Sequence, residues 1–236
     1  MTVAFAIMAK APRLGEVKTR LVPPLSAADA TALGAAFIQD TAENILLAAR
    51  SMPIAGYIAF TGPEEVLRPL LPPSVGLLPS RRSGLGASLF DAAEDLIGAG
   101  HEAVCLVNAD SPNLPTAVLV EAARALRQLG DRVVLGPAED GGYYMIGLRY
   151  PHRRLFEDID WSTERVFGQT LDRAAEVALE PVVLPKWYDV DDAASLRRLS
   201  QALLGGVGSR DQFAAPHTTA CLRRIFGEDA ASCGPG

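Results

Sequence analysis

The chain has 236 residues, 49% of them hydrophobic, and a formal net charge of −6. That length and apolar content suit one α/β domain with a large core, and the negative balance argues against a surface built for nucleic acid or acidic membrane. The cysteines Cys105, Cys221 and Cys233 form no CxxC pair and no run approaches membrane-spanning length, so a cytoplasmic protein with no membrane span is expected.

Residues 3–8 (VAFAIM) read as a first strand buried on both faces. The loop at 9–25, AKAPRLGEVKTRLVPPL, is too polar and Pro-rich to be regular, yet it gathers Lys10, Arg13, Lys18 and Arg20. Ser26 is a natural N-cap for the next helix, with Asp29 in its first turn and Leu33, Phe37, Ile45 and Leu46 along its apolar stripe. A strand at 54–60 and a short helix opened by Pro63 and running to Leu70 follow. A third strand at 75–78 leads into SRRSGLGAS, and a helix at about 87–97 ends against Gly98 and Gly100. Residues 103–107 (AVCLV) form a run with no polar face, which fits a central strand. It ends in Asn108, Ala109, Asp110 and Ser111, and Pro112 and Pro115 then stop the ladder and open a helix through Leu129.

To this point strands and helices alternate, the pattern of a parallel sheet covered on both faces. After a strand at 132–135 the rhythm changes. GPAEDGGYYMIGL sets two glycines between apolar runs, so the chain turns back and Tyr143 to Leu148 is expected as an antiparallel insertion. A helix after Trp161 and Ser162, a strand at 182–184, WYDVDD at 187–192 and a helix at 193–204 complete the domain, assigned to 1–207. The segment 208–236 reads as an extension with one short helix at 218–226 and a loose tail.

Several motifs are absent. GEVKTR has a Lys-Thr pair without the glycine a P-loop requires, Gly84 and Gly86 follow the third strand rather than the first, and no GxSxG elbow occurs. His101, His152 and His217 have no metal-binding spacing and read as surface or helix-end residues. What remains is a set of oxygen ligands and cations at strand ends. Asp110 is delivered to the carboxyl end of the central strand, where ligands sit in open α/β sheets, although Asp110 and Asn108 could equally cap the following helix. Asp110, Asp189 and Asp191 are hard ligands of the kind magnesium or manganese takes beside phosphates, with helix capping again the alternative for 189–192. Lys18 and Arg20 share a face if the loop is extended, and fixed cations suit a leaving diphosphate; the alternative is a solvated loop. Asp140 beside Gly141 and Gly142 offers a carboxylate where a ligand can approach closely, or an ordinary hairpin turn.

Taken together, MAKAPRLGEVKTRL, NADSPNLP, LGPAEDGGYYMIGL, DIDWST and WYDVDD make the chain resemble the bacterial nucleotide-diphospho-sugar transferase-like proteins with the GT-A fold. The KTRL loop and the aspartates are also similar to those of 2-phospholactate guanylyltransferases. The resemblance implies a Rossmann-like mixed sheet with a nucleotide over the loop after the first strand, met by Lys10, Ala11, Gly15, Lys18 and Arg20 and by Asp110, Asp140 and Gly141. It further implies a divalent metal, magnesium or manganese, at Asp110, with Asp189 and Asp191 completing its carboxylate set. Two departures stand out. Ser83-Gly84-Leu85-Gly86-Ala87-Ser88 replaces an acidic, basic-tipped GDLGER-like loop, and Asp192-Ala193-Ala194-Ser195-Leu196 replaces TPEDL.

Lys18, Arg20 and Asp110 are therefore the expected catalytic groups, neutralising charge on a departing phosphate. Three functions fit. One is glycosyl transfer from a nucleotide sugar to a small-molecule acceptor, which the resemblance favours. Another is nucleotidyl transfer from a nucleoside triphosphate to a phosphorylated small acceptor, which the loop cations favour slightly. The third is non-catalytic nucleotide binding, against which the intact aspartate trio counts.

Overall fold

The computed structural model describes residues 2–206 and 211–227. Cys233 and the tail expected after the last helix lie outside the described residues. Seven strands form one sheet in the order β3-β2-β1-β4-β6-β5-β7. They are β1 (Val3–Lys10), β2 (Ile54–Thr61), β3 (Gly76–Pro79), β4 (Ala103–Asn108), β5 (Arg132–Pro137), β6 (Tyr143–Leu148) and β7 (Glu180–Val183). The helices are α1 (Ala27–Ala48), α2 (Glu64–Leu67), α3 (Leu85–Gly98), α4 (Thr116–Leu126), α5 (Val166–Glu176), α6 (Ala193–Leu204) and α7 (Pro216–Phe226), with short 3₁₀ turns at Thr19–Leu21, Arg68–Leu70 and Arg153–Phe156.

The two-residue period of the central strands sorts the core into layers. In β1, Val3, Phe5 and Ile7 join the layer under α1 and α4, whereas Ala4 and Ala6 face the layer under α3. In β4, Ala103, Cys105 and Val107 go to the first layer, and Val104 and Leu106 to the second. β1 and β4 are parallel, and their pairing ends with Met8 opposite Asn108, two residues before β1 itself ends at Lys10. The polar residues that follow both strands are thereby brought to one sheet edge.

β6 is antiparallel to both β4 and β5, as the glycine pair anticipates. Gly147 of β6 is wedged where a Cβ would sit 3.0 Å from Leu126, 3.2 Å from Cys105 and 3.2 Å from Val134, so the reversed strand lies tightly between its neighbours. α4 stops at Leu126, short of the expected Leu129, because the chain closes into a turn and Gly130 then adopts φ 97°. α3 begins at Leu85, two residues earlier than its sequence suggests, with Gly84 at φ 93° as its N-cap.

A third apolar cluster joins α1, α6 and α7 through Leu33, Phe37, Leu196, Leu199 and Leu222. Asp40, fully buried in α1, accepts the backbone N–H groups of His217 at 3.0 Å and Thr218 at 2.7 Å, and so caps the start of α7. His217 also meets Glu43 at 2.8 Å. Asp40, Glu43 and His217 form the one group of three ligand-type side chains that converges within 4.8 Å among the described residues. Sequence spacing gave no sign of this group. Its hydrogen bonds are those of a helix seat, and it lies away from the cleft described next.

Candidate active site

The edge shared by β1 and β4 opens into a cleft of about 710 Å³. Its floor is Met8, Asn108, Ala109 and Asp110. Segment 185–192 is laced against the end of β5 and the stretch after β4 by a series of hydrogen bonds. Trp187 N–H donates to Pro137 O at 3.1 Å, Val190 N–H donates to Asp110 O at 2.9 Å, and Asn113 Nδ2 donates to the Tyr188 hydroxyl at 2.8 Å. Val190 is fully buried, so Asp189 and Asp191 on either side of it both emerge at the cleft. This lacing is what joins residues some eighty positions apart.

The capping alternatives do not hold for the three aspartates. α4 has Pro115 at its N-cap and no side-chain cap, which leaves Asp110 without that role. Asp192 takes the cap of α6: its carboxylate accepts the Ser195 N–H at 2.8 Å in a reciprocal capping box. The Asp-Ala-Ala-Ser sequence that departs from the family pattern is thus a working cap, and Asp189 and Asp191 are left for the cleft.

Each aspartate has a different setting. Asp189 Oδ1 accepts from Asn108 Nδ2 and from Ser111 Oγ, both at 2.7 Å. Burial pushes its carboxyl up to about 6; those hydrogen bonds oppose the shift, and the nearby charges of Asp110 and Asp140 reinforce it. Asp110 and Asp191 share a cation instead. Lys18 Nζ lies 2.5 Å from Asp110 Oδ1, 3.0 Å from Asp191 Oδ1 and 2.8 Å from Val190 O, which engages all three ammonium hydrogens. Only 8% of the Lys18 side chain is exposed. Burial works against its charge, but Asp110 and Asp191 more than offset that and hold its pKa above the ordinary lysine value.

Lys18 and Arg20 do not form the expected pair on one extended face. Lys18 is in the left-handed region at φ 50°, ψ 35° and Arg20 sits in the 3₁₀ turn Thr19–Leu21, so the backbone sends the two cations apart. Arg20 is exposed on the cleft rim and forms no ion pair with a described residue. Lys10 and Arg13 both bind Glu16, at 3.2 Å and 3.1 Å. Of the other expected nucleotide-binding residues, Asp140 lines the cleft. Ala11 is fully buried and bonds through its N–H to Thr61 O at 2.8 Å, which makes it core. Gly15 is at the exposed loop tip with φ 75° and lies outside the lining.

Gly141 likewise does not line the cleft; its role is structural. It adopts φ 89°, and a Cβ there would sit 2.3 Å from the Glu164 carbonyl oxygen. Its own carbonyl accepts the Phe167 N–H at 2.9 Å. The turn therefore docks segment 161–167 onto the cleft, and Tyr143, Trp161, Ser162, Thr163 and Glu164 form the wall opposite the cationic loop. Gly141→Ala should cost about 1–3 kcal/mol in chemical unfolding by combining backbone strain with this clash; an unchanged midpoint would show that the docking is not as close as described.

Six carboxylates (Glu16, Asp110, Asp140, Glu164, Asp189 and Asp191) line the cleft against three cations, Lys10, Lys18 and Arg20. The aspartates do not form a closed trio of ligand atoms within 4.8 Å. They do fit a divalent ion by chemistry, being hard oxygen donors of which two already converge on one cation, the Lys18 ammonium. Sequence reasoning missed the part of Asn108, which it weighed only as a cap. Its position two residues before Asp110 was the available signal, because i and i+2 share a face at a strand end. It also missed the wall at 161–164, whose place depends on a turn and not on a motif.

Residues 45–163 match the model of a family described as an uncharacterized protein conserved in bacteria, DUF2064. The chain belongs to this family. The matched span holds the NADSPNLP and DGGYYMIGL stretches, while Lys18 and the Asp189–Asp191 segment flank it. No curated protein matches the chain in sequence. Among solved structures, it is similar to a candidate nucleotide-diphospho-sugar transferase from Desulfovibrio desulfuricans G20, at 25% identity and a TM-score of 0.80 over 94% of this chain and 97% of that one. It shares its fold with glucosyl-3-phosphoglycerate synthase from Mycobacterium tuberculosis, a complex with Mn2+, uridine diphosphate and phosphoglyceric acid, at 11% identity and a TM-score of 0.50 over 96% and 78% of the two chains. A cytidylyltransferase from Leptospira borgpetersenii gives 13% identity and a TM-score of 0.50 over 94% of each chain. The DUF2064 chain thus has a Rossmann-like mixed sheet found in both sugar-transferring and nucleotidyl-transferring proteins. Among its described residues no helix is long and apolar enough to cross a membrane.

Proposed function

We propose that this protein is a transferase that binds a nucleoside-diphosphate sugar and a divalent cation in the cleft and passes the glycosyl group to a small-molecule acceptor. The observation that carries this reading is the charge of the cleft, six carboxylates against three cations with Lys18 already committed to two aspartates. An anionic donor entering such a cleft needs positive charge brought with it. Asp110, Asp189 and Asp191 would hold the divalent ion, and when bound it would supply Lewis-acid neutralisation of the donor's diphosphate. Asn108 and Ser111 fix the Asp189 carboxylate from behind, the kind of support that orients a ligand oxygen before the ion arrives. Arg20, on the rim and in no ion pair with a described residue, is the cation available to the outer phosphate. In the reaction the acceptor oxygen bonds to the anomeric carbon as the bond from that carbon to the phosphate oxygen breaks. The acceptor's proton passes to a base and the nucleoside diphosphate leaves.

The rival reading, nucleotidyl transfer, asks the loop cations to hold a leaving pyrophosphate. Lys10 and Arg13 are engaged by Glu16 and Lys18 by two aspartates, which leaves Arg20 for that task and weighs toward the sugar donor. The test is the leaving group, measured across a panel of nucleotide sugars and nucleoside triphosphates with magnesium or manganese. Metal-dependent release of a nucleoside diphosphate from a nucleotide sugar is expected. Metal-dependent pyrophosphate release from a triphosphate would transfer the protein to the other class.

A further inference from the structure

The two ends of the cleft differ in chemistry, and the difference bears on the acceptor. Lys10 at the end of β1 and Lys18 and Arg20 in the loop after it supply every cation of the lining. The opposite wall offers Leu85, Tyr143 and Trp161, with Ser162 and Glu164 beside them. We propose that this wall is the acceptor subsite and that it takes an uncharged, hydroxyl-rich acceptor with a sugar-like ring, in preference to a phosphorylated or carboxylated one. This rests on the transferase reading above, and it names the substrate class that reading leaves open.

The wall is built, not incidental. The Trp161 indole lies over the Gly86 backbone so closely that a Cβ on Gly86 would be 2.7 Å from the ring nitrogen. Tyr143 meets the same indole edge-on, with centroids 6.4 Å apart and planes at 82°. Glycine at position 86 and an aromatic at 161 are therefore a matched pair. The residue beside that glycine, Leu85, is 48% exposed at the cleft. Here the Ser83–Ser88 loop acquires a meaning: in place of charged members it presents an apolar side chain and a seat for an indole.

An aromatic face next to hydroxyl and carboxylate oxygens suits a pyranose, whose C–H face packs on the ring while its hydroxyls donate to the oxygens. A phosphate or carboxylate at this wall would instead meet Glu164 and Asp140, with no cation of the described lining on that side. The neighbouring Arg165 is turned to Asp160 at 3.2 Å and lies outside the lining.

The experiment compares methyl α-D-glucopyranoside and methyl α-D-mannopyranoside with glucose 6-phosphate and 3-phosphoglycerate, by tryptophan fluorescence titration of the full chain. At least tenfold tighter binding of a neutral glycoside is expected, with the signal lost in Trp161→Phe. Leu85→Arg, which adds a cation at the wall, should shift the preference toward glucose 6-phosphate. Equal or tighter binding of the phosphorylated compounds by the native protein, or no saturable response to either glycoside, would overturn the inference. A parallel calorimetric titration with nucleotide sugars separates the two failures: nucleotide-sugar binding without the neutral preference rejects the acceptor class alone.

Discussion

Asp189→Asn will make the metal-free protein more stable at neutral pH and will remove metal-supported donor binding. The wild-type carboxyl is pushed up to about 6, chiefly by burial, whereas an unfolded aspartate titrates near 4. A carboxyl whose folded pKa is raised favours folding while protonated. Its contribution is therefore fully present below about 4, declines as pH rises through about 6, and leaves a cost above that. A rise from about 4 to about 6 corresponds to roughly 2–3 kcal/mol at pH 7. Asparagine keeps an oxygen to accept from Asn108 and Ser111 but has no charge to desolvate. In urea unfolding without metal, the variant should gain over the native protein as pH goes from 4 to 7. A variant less stable at pH 7 would mean that the charged form of Asp189 supports the fold, and its place in the proposed ion site would lose its main physical argument. Residues kept at a cost to stability are the ones whose retention function explains.

Lys18→Met should act in the opposite sense. Without the ammonium, Asp110 and Asp191 lose a shared counter-ion, and Val190 O loses a donor. Removing one partner of a buried ion pair typically costs about 3–5 kcal/mol. Here the carboxylates are 37% and 44% exposed, and water recovers part of that, so a loss of about 1–3 kcal/mol is expected. Added magnesium or manganese should restore more stability to the variant than it adds to the native protein, because the ion no longer competes with an internal cation for the same oxygens. Thermal melts with and without metal measure this. Equal metal-induced shifts in both proteins would show that Lys18 and the ion do not share a site.

Much of the architecture was legible because burial on both faces is written directly into VAFAIM and AVCLV as unbroken apolar runs, and because Gly141-Gly142 marks the reversal before β6. Asp110 was legible for the same reason, a carboxylate at the end of a buried strand being hard to explain as core. The pairing of Lys18 with Asp110 and Asp191 was not. It depends on a left-handed residue at position 18, which a reading of the loop as extended sends the other way. Ala11 and Gly141 lie outside the cleft lining for a similar reason: both are held by backbone contacts to distant segments, Thr61 and Glu164, that no local pattern announces. The group at Asp40, Glu43 and His217 is a product of α7 docking on α1 and has no signature in sequence spacing.

The central claim, that a nucleotide-activated donor and a divalent cation bind together at the aspartate cleft, is tested most directly by calorimetric titration of nucleoside-diphosphate sugars into native and Asp110→Asn protein, each with and without manganese. The account predicts binding to the native protein that requires the metal, and its loss in Asp110→Asn, whose unfolding midpoint falls less than that of Lys18→Met because Asp191 still pairs with Lys18. Binding that is indifferent to metal and unchanged in Asp110→Asn would contradict it.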